Sequence, residues 1–275
     1  MRKLTLLWGL ILLRLLGATA RAGDGQAHQP TDGEGHAHAH PRIDVAHAIV
    51  TESPVPETEI QFRYSFADAG DGTELALSNA IEYAFVPTFS LELAVPYAVV
   101  DPDGGGPFGH FDNVEVAAKF ATYAFADEGF IPAAGLAVSF PTGREERGVG
   151  SDHIVELEPF VRAGLVRGPF HLVGQVGVGI PLNQTHGERD EQDFTLGYNA
   201  AVIYHAMPKL QALVELHGES VFGDGDGEHA FYVSPGVTFQ PFADKSINLG
   251  VGVSLPLTDE RDFDYAVNLL AIFHL

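Results

Sequence analysis

The sequence predicts an all-β fold: a transmembrane antiparallel β-barrel of about twelve strands. Three observations lead there. Apolar residues recur with period two from Thr58 to the C-terminus, the periodic runs are long, and the connections between them alternate between long and short.

The chain opens with Met1-Arg2-Lys3, an apolar run from Leu4 to Leu16 interrupted by Arg14, and Ala20-Arg21-Ala22. A basic start, a short apolar stretch and an A-x-A site form a cleavable signal peptide, so residues 1–22 are expected to be removed on export. The run is too short for a membrane anchor, and no later run reaches the ~18 apolar residues that a spanning helix needs. Residues 23–57 are rich in Gly, His, Pro, Thr, Asp and Glu. Such a composition buries too little apolar surface to offset its ordering entropy, so this segment is expected to be a flexible, His-rich periplasmic extension.

Residues 58–275 make the barrel. Ile60, Phe62, Tyr64 and Phe66 alternate with Gln61, Arg63 and Ser65; Leu75, Leu77, Ile81 and Tyr83 alternate with Glu74, Ala76, Ser78 and Glu82; Phe89, Leu91, Leu93, Val95, Tyr97 and Val99 alternate with Ser90, Glu92 and Ala94. The pattern recurs near 113–124, 130–140, 153–165, 170–180, 194–205, 210–217, 230–239, 247–255 and 264–275. Each run approaches the ~9–11 residues of a tilted membrane strand, whereas soluble strands average ~5–6. The apolar face carries no Asp, Glu, Lys, Arg or His. The other face mixes charged residues with Ala and Gly, as the inside of a closed barrel does. Long connections at 67–72, 101–109, 141–152, 182–193, 218–228 and 256–262 alternate with short ones near 86–87, 126–129, 167–168, 207–208 and 243–244. That places the long loops outside the cell, the tight turns in the periplasm, and both barrel ends in the periplasm. Phe89, Phe130, Phe140, Phe170, Phe194, Tyr204, Phe231 and Phe239 fall near strand ends, as an aromatic girdle would. Closure is required, because an open edge would leave unpaired backbone groups in hydrocarbon.

Composition narrows the function classes. With 15 Lys and Arg against 37 Asp and Glu, and a formal charge of −22, the chain is no nucleic-acid partner. It has no Cys, hence no disulfide, thiolate metal site or Cys nucleophile. No G-x-S-x-G or H-E-x-x-H occurs, so a non-enzymatic role is expected.

Four segments in order, Asn79-Ala80-Ile81-Glu82-Tyr83, Leu93-Ala94-Val95-Pro96-Tyr97, Phe111-Asp112-Asn113-Val114-Glu115 and Ser139-Phe140-Pro141-Thr142-Gly143, resemble the outer-membrane transporter family of the MetA pathway of phenol degradation. The resemblance covers roughly residues 58–275. It implies a barrel channel or transporter, often in the setting of hydrophobic compounds, with no catalytic residues. Leu275 departs from the aromatic residue with which barrel proteins commonly end.

Three groups of residues are candidates for chemistry. Inward-facing Glu82, Glu92, Glu115, Lys119, Glu156, Glu158 and Arg162 could tune the selectivity of a lumen, or form a salt-bridge lattice that fills it. His36, His38 and His40 alternate on one side of an extended chain, and with His28 and His47 offer imidazole ligands for Zn, Cu or Ni; the alternative is a solvated spacer. Glu188, Asp190, Glu191 and Asp193 share one loop, Asp224, Asp226 and Glu228 a second, and Asp259, Glu260 and Asp262 a third, where divalent cations could bind or be drawn toward the mouth; the favoured alternative is a plain solvated surface loop.

No resident cofactor is required. The expected location is the Gram-negative outer membrane, with outer-membrane lipid, the barrel assembly machinery and a small-molecule or ion solute as partners. The expected function is a passive channel or transporter component for small solutes, either hydrophobic compounds or metal ions. The alternatives are a metal-capturing or structural protein without an open pore, and a barrel enzyme acting on membrane lipid. Conductance separates the first from both others, and lipid turnover identifies the last.

Overall fold

The computed structural model describes residues 43–275 apart from 71, 103–104, 185–192, 224–226 and 244. The strands are β1 (Glu59–Asp68), β2 (Gly72–Val86), β3 (Phe89–Pro102), β4 (Phe108–Phe111), β5 (Glu115–Ala121), β6 (Phe130–Ser139) and β7 (Glu156–Arg167), followed by β8 (Phe170–Pro181), β9 (Phe194–Met207), β10 (Leu210–Phe222), β11 (Glu228–Phe239), β12 (Ile247–Pro256) and β13 (Tyr265–His274). Twelve of them form a closed antiparallel ring. Each pairs with its neighbours in the chain, β3 pairs with β5, and β1 pairs with β13 to close it. The short β4 lies off the ring as a hairpin partner of β3 within the loop between β3 and β5. Among the described residues no helix is long and apolar enough to cross a membrane.

The alternation read from the sequence gives the wall two faces. Leu93, Val161, Val176, Val202, Val214 and Leu269 point outward and are exposed, an apolar exterior of the kind that lipid covers in membrane barrels. The neighbouring strand positions point inward. The register is unambiguous at Val176, 43% exposed, and Gln175, 8% exposed. Aromatic rings crowd both rims. Phe85 lies 6.1 Å from Phe89, Phe170 5.1 Å from Tyr204, and Phe194 4.6 Å from Phe222.

Both ends of the ring sequence, Glu59 and His274, face each other across the β1–β13 seam, so the two barrel termini share one end. At that end the connections span 87–88, 122–129, 168–169, 208–209 and 240–246; at the distal end they span 69–71, 103–114, 140–155, 182–193, 223–227 and 257–264. Two distal connections, 69–71 and 223–227, are shorter than two at the terminal end. Strands β1, β2 and β10 run further than the apolar runs read from the sequence, because backbone pairing continues through residues such as Ala67, Thr73 and Ser220.

The two segments Phe111–Glu115 and Ser139–Gly143 meet. Asn113 Oδ1 accepts from the backbone N–H groups of Gly143 (3.1 Å) and Ser151 (2.9 Å), and Thr142 Oγ1 links Val114 N to Asp112 O at 2.8 Å each. A Cβ on Gly150, whose φ is +60°, would come within 2.1 Å of Asp112 Oδ1, so this latch needs glycine there. These residues fasten one distal loop to its neighbour.

Candidate functional site: a plugged lumen

Residues 43–57 differ from the expectation of a flexible extension. Val45, Ala46, His47, Ala48, Ile49, Val50, Thr51, Glu52, Ser53, Val55 and Glu57 are buried, and they pack inside the barrel. The physical reason lies in composition within the segment. Residues 23–42 contain no large apolar side chain, whereas Ile43, Val45, Ile49, Val50 and Val55 follow. Their counterpart is an apolar belt on the inward face, made of Ile131, Val173, Ile203, Leu213, Leu270 and Ile272, which joins them in one core. Burying each such side chain is worth about 1.5–3 kcal/mol.

The wall makes room for the plug with missing side chains. A Cβ on Gly236 would lie 2.6 Å from Ile49 Cδ1, and Cβ atoms on Gly250 and Gly252 would lie 3.1 Å from the same side chain. A Cβ on Gly164 would lie 3.0 Å from Pro54 and 3.2 Å from Val45.

Charged groups then grip the plug backbone. The Glu215 carboxylate, on β10, accepts from the N–H groups of Ile49 (2.8 Å), Val50 (3.0 Å) and Thr51 (2.6 Å). Arg63, on β1, donates from Nη1 to the carbonyls of Ile49 (3.1 Å) and Val50 (3.0 Å). One carboxylate and one guanidinium thus satisfy donors and acceptors of the same tripeptide, with hydrogen bonds of the charge-assisted kind. Ala46 N–H donates to His171 Nδ1 at 2.9 Å, Glu52 pairs with Arg162, and Asp44 pairs with Lys245.

The seven inward-facing residues singled out from the sequence all line the lumen, but they divide into two groups. Glu82, Lys119 and Arg162 hold the plug. Lys119 Nζ lies 3.0 Å from Glu82 and reaches Ser53 O at 3.4 Å, Glu82 accepts from Glu57 N–H at 3.2 Å, and Arg162 lies over the Phe160 ring at 4.0 Å while meeting Glu52. The remaining four share one stretch of wall. Glu115, Ser139 and Glu156 align across β5, β6 and β7; Glu92, Ala117, Ala137 and Glu158 align in the adjacent inward row. Two rows therefore carry four carboxylates and no cationic residue.

Towards the distal end the lumen closes a second time. Phe263 folds inward from the loop at 257–264 and stacks on Tyr232 at 4.5 Å, and the Tyr232 hydroxyl donates to Asp262 at 2.6 Å. Burial raises the Asp262 carboxyl, partly offset by that hydroxyl. His217 also stacks on Tyr232, at 5.3 Å, and meets Ser234 at 2.8 Å; Ser234, Ser254 and Asn268 continue the chain of hydrogen bonds. The cavity beside this network, lined by Glu158, Gln175, Asn199, His217, Glu219 and Asp262, measures about 40 Å³. That holds water but no solute of metabolite size. A larger hollow of about 630 Å³ lies on the outer face, where Pro132, Ala163, Gly174 and Ala200 form a row of small residues, so it is no part of the lumen.

The candidate metal ligands separate. His28, His36, His38 and His40 lie outside the described residues. His47 is buried in the plug with its ring 5.2 Å from that of His274. Of the acidic loops, Glu188, Asp190, Glu191, Asp224 and Asp226 lie outside the described residues, as do their possible sites. In the third loop Asp262 turns inward to Tyr232 and Glu260 accepts from His229 N–H at 2.9 Å, so these carboxylates do not converge. Glu215, Arg63, His171, His217 and His274 were not singled out from the sequence as site residues. An acid, a base and three imidazoles on the inward face of strands were visible there, but nothing local said what they would touch.

The chain matches no family model and no curated protein. Solved structures do match in fold. The COG4313 outer membrane channel from Pseudomonas putida F1 aligns with a TM-score of 0.63 at 14% identity, over 84% of this chain and all of that one. The NanC porin aligns at 0.54 and 9% identity, over 78% of this chain and 99% of that one, and the KdgM porin at 0.52 and 12%, over 79% and 99%. The shared fold is that of porin-like outer-membrane barrels.

Proposed function

We propose that this chain is an outer-membrane channel for small solutes whose own N-terminal segment closes it at rest. It is exported by a cleaved signal peptide over residues 1–22, inserted by the barrel assembly machinery, and embedded in outer-membrane lipid with its termini in the periplasm. The observation that carries the reading is the docking of residues 43–57 inside a closed barrel through backbone contacts to Glu215 and Arg63. Backbone recognition by charged groups suits a segment that leaves and returns, because water can replace both partners when it leaves. Its apolar exterior and its likeness in fold to outer-membrane channels support the membrane setting. The finer reading, that the solute is a small hydrophobic compound as in the MetA-pathway family, draws support from the apolar belt around Ile131, Val173, Ile203 and Leu270 that the plug would uncover. The four carboxylates on β3, β5 and β7 would favour cations in the same space.

The test is conductance in planar bilayers. The whole chain should conduct little, and a chain lacking residues 23–57 should form open, cation-preferring pores. Equal conductance from both would remove the gating reading. A second reading, a structural or metal-capturing barrel without a pore, is favoured by the same burial of the plug, and persistent silence of the shortened chain would select it. The His-rich run, His28, His36, His38 and His40, is proposed to bind Zn, Cu or Ni and to concentrate it near the periplasmic mouth.

A further inference from the structure

We propose that His47, Glu57, Glu59 and His274 form a buried site for a divalent transition metal of the zinc type, which ties the plug to the barrel seam. One ligand atom from each residue lies within 4.8 Å of all the others. The four come from three places. His47 and Glu57 belong to the plug, Glu59 opens β1, and His274 ends β13. Glu59 and His274 are direct partners across the seam that closes the barrel, with Nδ1 of His274 3.0 Å from Glu59 Oε2. Glu57 and Glu59 stand two residues apart in an extended run and so face the same side.

The donor set suits such an ion. Two imidazoles and two carboxylates are zinc ligands, and a tetrahedral shell with bonds of about 2.0–2.2 Å needs its ligand atoms only modestly closer than they stand here. Among the described residues, His47 Nδ1, Glu57 Oε2 and Glu59 Oε1 are buried with no hydrogen-bond partner. Buried polar atoms without partners are costly, and two carboxylates at one buried point repel each other unless a cation or a proton sits between them. The nearby lysine and arginine are engaged elsewhere: Lys119 is on Glu82, and Arg63 is on the plug carbonyls, which leaves only the His274 imidazole beside Glu59. The second cluster of this kind, Glu145, Asp152 and His153, is part-exposed on a distal loop and has three ligands at most.

The site is distinct from the His-rich run, and its test does not depend on whether the barrel conducts. The chain carrying His28→Ala, His36→Ala, His38→Ala and His40→Ala would be folded in detergent micelles, equilibrated with zinc, passed over a chelating resin and analysed for metal by mass spectrometry. One zinc per chain should be retained, and cobalt(II) in its place should give the intense visible absorption of a tetrahedral ion. Glu57→Gln in that background leaves every strand untouched, so folding is not at issue. It should weaken zinc by more than the roughly 10–100-fold that loss of an outer partner costs. His274→Ala should do the same. Absence of retained zinc in the background chain, or unchanged retention in Glu57→Gln, would overturn the proposal.

Discussion

At the residue scale, Glu215 and Arg63 hold the backbone of the plug. Glu215→Ala would leave the Ile49, Val50 and Thr51 N–H groups without their acceptor, at about 1–3 kcal/mol per group. The chain has no cysteine, so a single Thr51→Cys reports on plug release by its rate of reaction with a water-soluble thiol reagent. That rate should rise about tenfold or more with Glu215→Ala, since 1.4 kcal/mol is tenfold in an equilibrium, and less with Glu215→Gln, which keeps one acceptor. An unchanged rate would mean that the clamp does not hold the plug. Asp112 makes a second residue-scale prediction. Burial raises its carboxyl to about 7, against the lowering effect of the Asn113 N–H. A carboxyl raised on folding favours the folded loop at low pH, and that contribution is lost as pH climbs from the ordinary 3.8 through about 7. Trypsin should therefore cut at Arg144 and Arg147 faster at pH 8 than at pH 5.5 beyond its own pH dependence, and Asp112→Asn should flatten the difference.

At the scale of elements, the strand register makes the sharpest claim. Val176→Arg places a charge on the apolar exterior near mid-strand and should cost roughly 2–4 kcal/mol of folding into lipid vesicles. Gln175→Arg points into the lumen near Glu158 and should cost much less. Equal costs would contradict the register. This level of structure was legible because period two is a direct consequence of strand geometry, and the membrane forbids charge on one face. Phe62, Leu93 and Val176 all face outward as their spacing implied. Loop lengths were less legible. The ladders of β2 and β10 run on into residues such as Thr73 and Ser220, which carry no apolar signal.

For the whole molecule, the plug is what a periodicity reading could not deliver. Contacts such as Ile49 to Glu215 join residues far apart in the chain, and no local pattern encodes them. The signals available were indirect: apolar residues confined to 43–57 of the extension, and Ile131, Val173, Ile203 and Ile272 on a face that otherwise reads polar. The energetics fit a movable segment. Ordering residues 43–57 costs about 15–30 kcal/mol at ~1–2 per residue, and four buried aliphatic side chains with about six charge-assisted hydrogen bonds return a sum of the same size.

The most direct measurement locks the plug in place. Val45→Cys with Gly164→Cys puts the only two thiols of the chain where a Cβ on residue 164 lies 3.2 Å from the Val45 methyl groups that the first change replaces; the Pro54 ring, 3.0 Å from the same Cβ, need give only slightly for a disulfide to form. Planar-bilayer conductance would be recorded for this protein oxidised and then reduced, in the presence of a Glu215→Ala change that favours release. The bridge should form in nearly every chain, the oxidised protein should stay silent, and reduction should open it. Failure of the bridge to form, or the same conductance before and after reduction, would contradict a lumen closed by its own N-terminal segment.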